Sequence, residues 1–234
     1  MIKEYYKEQD AKDGKKTVIV SIMPCTAKKG EILREDNFTD GAQDTDYVLT
    51  TTEVIRMIKQ MGIQFDKIQG ESADMPFSLA SGGGAIFGVT GGVTEAVLRR
   101  LSDKKDFQAL QEISFSGVRG EDGIKEAVIE HGGREVRIAV VNGLANAGKL
   151  LDRIKAGEAK YDFVEVMACK RGCIMGGGQP GPAGPRTKKR RMEGIYKVDQ
   201  NSNIKSSDAN PAIQALYQDF LKGKEHKLLH RNLH

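Results

Sequence analysis

The spacing of apolar residues predicts a chain that alternates between strands and helices. Runs of apolar residues bounded by polar ones predict strands, which we place at residues 16–22, 46–50, 112–118, 134–141 and 161–167. Apolar residues three and four positions apart predict a helix after the second strand and further helices at 143–156 and near 211–222. This alternation predicts the α/β class, with a mainly parallel sheet flanked by helices.

The helix after the second strand has both of its ends marked in the sequence. Thr50 and Glu53 form a capping-box pattern, in which each side chain accepts a hydrogen bond from the other residue's backbone N–H. Gly62 suits the end of the helix, because glycine readily adopts the left-handed conformation found there. The predicted inward face consists of Val54, Ile55, Ile58 and Met61.

Two segments are rich in glycine. Residues 81–92 lead into a helical pattern that begins at Val93. Residues 176–187 combine glycine with proline, and we predict irregular structure there.

Composition narrows the range of functions. Hydrophobic residues make up 39% of the chain and aromatic residues 6%, so we expect cores of mainly aliphatic side chains. The basic residues concentrate at 188–191 and at 222–234, and we interpret the latter as a basic, flexible tail. A nucleic-acid-binding surface usually has a broad basic face with interleaved aromatic residues. This sequence lacks that pattern, so no nucleic-acid partner is expected.

The sequence carries no pattern typical of export or membrane insertion. No apolar stretch approaches the roughly 20 residues of a membrane helix. Residues 1–16 are charged throughout, unlike a signal peptide. We therefore expect a cytoplasmic protein without a membrane span.

The three cysteines, Cys25, Cys169 and Cys173, indicate metal or redox chemistry. Their number is odd and no export signal is present, which disfavours a disulfide framework. Two predicted strands end just before Cys25 and Cys169, and ligand sites in open α/β sheets lie at the carboxyl ends of strands. Soft thiolates favour zinc, copper(I) or iron–sulfur clusters.

The spacing of these cysteines leaves three interpretations open. A structural zinc site needs four ligands, and the four histidines of the chain show no convincing ligand spacing. Unreactive buried thiols are also common. A cubane cluster usually takes four cysteine ligands, so the three thiolates here are one short.

Two motifs add a resemblance to a known family. Residues 23–31, MPCTAKKGE, resemble the second signature of the iron-only (FeFe) hydrogenases, and residues 165–180, EVMACKRGCIMGGGQP, resemble the third. The glycine-rich segment around Phe87 and the segment from Asn142 to Phe163 are also similar to that family. The resemblance covers residues 1–234, which we interpret as the C-terminal part of the H-cluster catalytic domain. It implies the α/β fold of the hydrogenase large subunit.

The resemblance implies an H-cluster, in which a 4Fe–4S cubane is joined to a diiron subsite with CO, cyanide and dithiolate ligands. Its metal ligands would be Cys25, Cys169 and Cys173, of which Cys173 would also bridge to the diiron unit. Lys28 would donate a hydrogen bond to a cyanide ligand. Beside the diiron subsite the resemblance places three apolar side chains, those of Met23, Met167 and Phe87.

Further cofactor contacts are implied for Pro24, Gly176, Gly177 and Gln179. Lys170 and Arg171 depart from the family pattern, which usually has Pro-Gly after this cysteine. Their positive charge would favour the reduced state of a nearby cluster. Taken singly, Lys28 also fits a solvated surface lysine, and the methionines also fit ordinary core packing.

The implied activity is reversible proton reduction and hydrogen oxidation, with ferredoxin or an NAD(P)-linked acceptor as electron partner. The family's first cysteine signature precedes the second by several dozen residues and is not among these residues. We therefore expect an upstream hydrogenase segment or a separate subunit to supply it, and the chain to be inactive and incompletely loaded by itself. The alternatives are a truncated gene product and a non-catalytic, hydrogenase-like iron–sulfur assembly or sensing protein.

Overall fold

The computed structural model describes residues 1–101, 123–131 and 133–230. The strand predicted at 112–118 lies outside the described residues. The chain divides into two compact units. Unit 1 comprises Met1–Ser72, Gly177–Gly181 and Ala212–His234, and unit 2 comprises Ala73–Gly176 and Pro182–Pro211.

The described helices are spread along the whole chain. In chain order they are α1 Ile2–Asp13, α2 Ala27–Glu31, α3 Thr51–Gln60, α4 Gly82–Ala85, α5 Gly92–Leu101, α6 Leu144–Lys155, α7 Pro185–Asn201, α8 Pro211–Gln218 and α9 Glu225–Leu229. Short 3₁₀ turns include Ile86–Gly88 and Cys173–Met175.

The described strands form three small sheets. They are β1 Val20–Met23, β2 Phe38–Thr39, β3 Ala42–Gln43, β4 Tyr47–Thr50, β5 Ile124–His131, β6 Arg134–Asn142 and β7 Phe163–Met167. In unit 1, β1 pairs with β4 in parallel, and β2 and β3 form a short antiparallel pair. In unit 2 the strand order is β5-β6-β7, with β5 antiparallel and β7 parallel to β6.

These pairings confirm the α/β class and correct one detail of it. Parallel pairing occurs at β1 and β7, the two strands that end just before a cysteine. Among the described strands, the longest pairing, between β5 and β6, is antiparallel, so the three-stranded sheet is mixed rather than mainly parallel. The β5–β6 loop is too short for the crossover that a parallel pair needs, and this makes the pair antiparallel.

The predicted cap of α3 is confirmed. Thr50 Oγ1 accepts a hydrogen bond from Glu53 N at 3.2 Å, and Glu53 Oε2 accepts one from Thr50 N at 2.7 Å. Gly62 has a φ of +68°, as expected of a residue that ends a helix.

Several predicted boundaries differ from the observed ones. The first strand begins at Val20 rather than at 16, and α8 ends at Gln218 rather than near 222. Helix α7 was not predicted, and its first residues overlap the predicted irregular segment. Its first half is dominated by basic residues, and the sequence analysis overlooked the helical spacing of Met192, Ile195 and Tyr196 in its second half. Pro185 fits its first turn. Helix α1 was not predicted because most of its side chains are polar or charged.

The three hydrophobic core clusters of the described residues all lie in unit 2. One packs Leu98 of α5 against β6, and a second packs α6 against the opposite face of β6. The third joins Ile86, Val89 and Ile174 with side chains of α7. The third cluster therefore fixes the turn that follows Cys173 against the glycine-rich segment.

Candidate functional site

Strand β7 of unit 2 leads directly into the loop that carries Cys169 and Cys173. Gly143 N donates to Met167 O at 2.8 Å, which fixes the end of the strand. Within the loop, Gly172 N donates to Cys169 O and Gly176 N donates to Cys173 O, each at 2.9 Å. Two consecutive tight turns therefore set the positions of both cysteines.

Neither cysteine of this loop is in a disulfide. Cys169 is exposed, whereas Cys173 is half-buried. The Cys173 Sγ lies 4.0 Å from the Met167 Sδ, so the structure brings these two predicted site residues together. A thioether at this distance gives the Cys173 thiol a soft, apolar neighbour.

Gly172 fixes the path of the loop in two ways. Its φ of +71° is in the left-handed region, which favours glycine. A Cβ added there would lie 3.2 Å from Gly88 O, so the backbone of the cysteine loop packs closely on the glycine-rich segment. The predicted site residue Phe87 lies in that segment and is 49% exposed.

Glu165, inside β7, has a structural role that the sequence analysis missed. It is buried, with 7% of its surface exposed. Its Oε1 accepts from Gly91 N at 2.8 Å, and its Oε2 accepts from Thr94 N and Thr94 Oγ1, both at 2.7 Å. A carboxylate at the amino end of a helix is stabilised by the free N–H groups and by the helix dipole. Glu165 therefore joins the strand before Cys169 to the start of α5.

Asn142, at the end of β6, adds a second link to the same segment. Its Nδ2 donates to Thr90 Oγ1 at 2.6 Å, and the residue is 1% exposed. The signals that could have found both links are an acidic residue in the middle of a mostly apolar strand and an amide at the end of another.

Arg191 of α7 holds the turn after Cys173 from the other side. Its Nη1 donates to Ile174 O at 2.8 Å and lies 3.7 Å from Met175 Sδ. Arg191, the last residue of the basic run 188–191, is thus anchored beside the cysteine loop within unit 2. The exposed side chains of Lys170 and Arg171 add further positive charge to the loop itself.

Cys25 belongs to unit 1, where it follows the end of β1 and precedes α2. It is a half-buried free thiol. Lys28 lies in α2, and its Nζ is 2.6 and 2.7 Å from the two carboxylate oxygens of Glu31. Met23 and Pro24 are half-buried at the strand end. The structure therefore places Met23, Pro24, Cys25 and Lys28 on one strand–helix turn.

Gly178 closes that turn, and its role was also missed. Its N–H donates to Pro24 O at 2.8 Å, and its carbonyl accepts from Thr52 N at 2.9 Å and from Thr52 Oγ1 at 2.8 Å. A Cβ at Gly178 would lie 2.8 Å from Thr50 Cβ, which is too close for any side chain. A Cβ at Gly177 would meet nothing within 4 Å. Of these two glycines, Gly178 is the one required by packing.

The predicted site residues are thus divided between the two units. Cys25, Lys28, Gly177 and Gln179 belong to unit 1, and Cys169, Cys173 and Gly176 belong to unit 2. Among the described residues, no group of three or more His, Cys, Asp or Glu side chains is arranged to hold a metal ion. No helix of the described part is long and apolar enough to cross a membrane.

Comparison with known families gives this geometry a context. Residues 1–177 match the family described as "Iron only hydrogenase large subunit, C-terminal domain". Residues 185–234 match the family described as "Iron hydrogenase small subunit". The chain belongs to the iron-only hydrogenase family.

Both enzymes and assembly proteins are among its similar sequences. Iron hydrogenase 1 of Clostridium pasteurianum is 39% identical over 97% of this chain and 41% of its own length. The NADP-reducing hydrogenase subunit HndD of Solidesulfovibrio fructosivorans is 40% identical over 97% of this chain and 40% of its own. Cytosolic iron-sulfur assembly component 3 of Mus musculus is 30% identical over the whole chain and 50% of its own length.

The solved structures agree with the family assignment. A structure describing stepwise assembly of the H-cluster in an [FeFe]-hydrogenase has a TM-score of 0.70 and 35% identity. The match covers 95% of this chain and 65% of that hydrogenase chain. The chain therefore spans between two fifths and two thirds of the length of the relatives named here. It has the fold of the hydrogenase large-subunit chains.

The donor set of the chain fits an iron–sulfur group. None of the three cysteines is in a disulfide, and none is fully buried. Each follows the carboxyl end of a parallel-paired strand or lies in the loop after it. Soft thiolates are the ligands that such clusters use.

Proposed function

We propose that this chain is part of the catalytic domain of an FeFe-hydrogenase, an oxidoreductase that interconverts hydrogen with protons and electrons. The observation that carries the proposal is the environment of Cys173. Its thiol is half-buried in a doubly turned loop and lies 4.0 Å from the Met167 thioether. An apolar neighbour of this kind limits solvent access to a metal ligand and tunes the potential of the metal group.

In this proposal Cys25, Cys169 and Cys173 hold a 4Fe–4S cluster, and Cys173 also bridges to a diiron subsite with CO, cyanide and dithiolate ligands. When bound, that group supplies the redox chemistry that converts two protons and two electrons into hydrogen, and the reverse. A cubane usually takes four cysteines. The fourth would come from a hydrogenase segment with the first cysteine motif, in the same polypeptide or in a partner subunit. Ferredoxin or an NAD(P)-linked carrier would exchange the electrons.

The other predicted residues would shape the surroundings of the group. Lys28 would donate to a cyanide ligand, and its contact with Glu31 holds the ammonium group on α2. Met23, Met167 and Phe87 would exclude water. The backbones of Pro24, Gly176, Gly177 and Gln179 would follow the cluster closely.

Loading the chain with iron and sulfide under anaerobic conditions, followed by maturation, tests this proposal. We expect bound iron, sulfide and a cubane signal in electron paramagnetic resonance, together with CO and cyanide bands in the infrared. The Cys173→Ser variant should lose these bands, whereas Gly148→Ala on α6, which lies outside the predicted site and whose methyl group meets no atom, should keep them. Hydrogen evolution from reduced viologen is then measured on the chain combined with a segment that carries the first cysteine motif. Its absence from a fully loaded complex would contradict the catalytic proposal.

A second candidate function is iron–sulfur assembly or sensing without hydrogen turnover. It is favoured by the assembly component of Mus musculus, whose similarity extends over the whole chain. This candidate predicts a bound cubane without CO or cyanide bands. The infrared spectrum therefore separates the two functions. Cytoplasmic location is part of the proposal for either function, although the matched relatives also include a periplasmic hydrogenase subunit.

A further inference from the structure

Unit 1 exposes an apolar sheet face, which we call the strand face. It consists of Val20 and Ile22 of β1, Tyr47 of β4, and Val18 just before β1. Their exposed fractions are 49%, 59%, 62% and 52%. Val18, Val20 and Ile22 alternate along the chain, and Tyr47 is the register partner of Val20, so all four belong to one side of the sheet.

The opposite side of the same sheet is covered. Val48 and Thr50 of β4 are only 6% and 4% exposed. Parallel sheets in folded proteins are normally covered on both faces, since their strands are apolar on both sides. The two-stranded parallel sheet of unit 1 therefore lacks the layer of side chains that would cover its exposed apolar face.

The distribution of buried side chains supports the same conclusion. In the described part of the chain, unit 1 has three buried hydrophobic residues, Val48, Leu216 and Leu221, and the other eleven lie in unit 2. None of the three core clusters lies in unit 1. Unit 1 thus has a small core beside the exposed strand face, and exposed apolar patches of this kind mark interaction sites.

We infer that the strand face is the docking surface for the part of the hydrogenase domain that this chain does not span. The relatives contain such a part, because the chain covers 41% of the Clostridium pasteurianum protein and 65% of a structurally similar hydrogenase chain. The face itself carries no charged side chain, so the docking segment presents apolar side chains. The identity of the docking segment rests on the proposed function, whereas the exposure of the strand face does not.

The probe for this inference is the part of Clostridium pasteurianum iron hydrogenase 1 that this chain does not match, purified and added to the full 234-residue chain. Binding is measured by titration and by hydrogen–deuterium exchange. We expect at least tenfold slower exchange at the amides of residues 18–23 and 47–50 in the complex. Unchanged exchange at these amides would overturn the inference.

Two matched variants locate the contact. Ile22→Lys places a charge on the strand face, and Val128→Lys places one on β5 of unit 2, at a side chain that is also 59% exposed. We expect at least tenfold weaker binding for Ile22→Lys and less than a twofold change for Val128→Lys. Val20→Ser, a milder change on the same face, replaces Ile22→Lys in the binding measurement if Ile22→Lys fails to fold. Equal affinities for the strand-face variant and the Val128→Lys control would overturn the inference.

Two further readouts separate the possible failures. Sedimentation of the chain alone tests a second copy as the occupant, and self-association that Ile22→Lys abolishes would replace the inferred partner. Hydrogen evolution by the loaded complex is measured in parallel. Docking at the strand face without hydrogen evolution would contradict the proposed function alone, and hydrogen evolution that is unaffected by a folded Ile22→Lys variant would contradict the docking surface alone.

Discussion

At the residue scale, Glu165 is the side chain with the clearest structural task. Both of its carboxylate oxygens accept hydrogen bonds from groups at the start of α5, in a buried setting. A glutamine at this position has one acceptor and one NH₂ group, so one N–H donor at the helix start would face another donor. We expect Glu165→Gln to lower the free energy of unfolding by about 1–3 kcal/mol, the range for a buried polar group that loses its partner.

Chemical denaturation of the wild-type and variant chains measures this effect. The exposed Glu158→Gln, which makes the same chemical change at the surface, should alter the free energy of unfolding by less than about 0.5 kcal/mol. Thr94→Val removes one of the donors to Glu165 and should give a smaller loss than Glu165→Gln. Equal effects of the Glu165 and Glu158 changes would show that the buried contact does not stabilise the chain.

A second residue-scale prediction compares two glycines of unit 1. An alanine at Gly178 would bring a methyl group to 2.8 Å from the Thr50 side chain and 3.0 Å from the Pro24 carbonyl carbon, whereas an alanine at Gly181 meets no atom within 4 Å. We expect Gly178→Ala to displace the turn beside Cys25 and to reduce iron loading several-fold. Gly181→Ala should load like the wild type, as measured by iron content after anaerobic reconstitution. Identical loading of the two variants would refute the close packing at Gly178.

At the element scale, the sequence predicted what short-range patterns determine. The cap of α3 at Thr50 and Glu53 depends on residues three apart, and β6 and α6 were predicted nearly to the residue from their apolar spacing. The two strands that lead to cysteines were predicted for the same reason. The assignment of the cysteines as cluster ligands stays a prediction, carried by the motifs.

What the sequence could not predict depends on contacts between distant residues. Gly178 bonds to Pro24, Glu165 bonds to Thr94, and Asp199 binds Arg99 at 2.6 Å across a hundred residues of chain. No local pattern marks such pairs. Helix α7 was missed because its first half is basic and its apolar residues, Met192, Ile195 and Tyr196, are few. These residues pack in the third core cluster, and Asp199 binds Arg99, so both contacts tie the helix to the rest of unit 2.

The cap of α3 also predicts a pH dependence. Hydrogen bonds from the Thr50 backbone N–H, from Lys29 and from the Thr50 hydroxyl lower the pKa of Glu53 from 4.5 to about 2. A carboxyl group with a lowered pKa in the folded state stabilises the fold fully above its unfolded pKa, and that contribution is lost as the pH falls through the folded pKa. The stabilisation by Glu53 is therefore expected to be complete above pH 4.5 and to disappear as the pH falls from 4.5 to about 2.

Unfolding measured across this pH range, for the wild type and Glu53→Gln, tests the cap. The stability difference between the two should be largest above pH 4.5 and should shrink as the solution is acidified. Glu8→Gln on α1, an exposed position, provides the comparison. A difference that stays constant from pH 5 to pH 2 would mean that the Glu53 carboxylate is not held by these donors.

At the scale of the whole molecule, the uneven distribution of core residues predicts unequal stability of the two units. Unit 2 contains all three hydrophobic clusters, whereas unit 1 buries only three hydrophobic residues among those described. Because apolar burial is the main stabilising contribution to folding, unit 1 of the chain alone should open at lower denaturant than unit 2. Hydrogen exchange in increasing denaturant should therefore release the amides of β1 and β4 before those of β6.

Core truncations in each unit make this expectation specific. Leu150→Ala removes a side chain that is 1% exposed in unit 2, and should lower the stability of the β6 amides by about 2–5 kcal/mol, the range for large-to-small core changes. Val48→Ala in unit 1 should affect the β1 and β4 amides and leave those of β6 unchanged. If each truncation instead lowered the protection of both units equally, the chain would unfold as one cooperative body, and the thin core of unit 1 would not be a separate weakness. If docking at the strand face supplies the missing layer, the same exchange experiment on the complex should raise the protection of unit 1 toward that of unit 2.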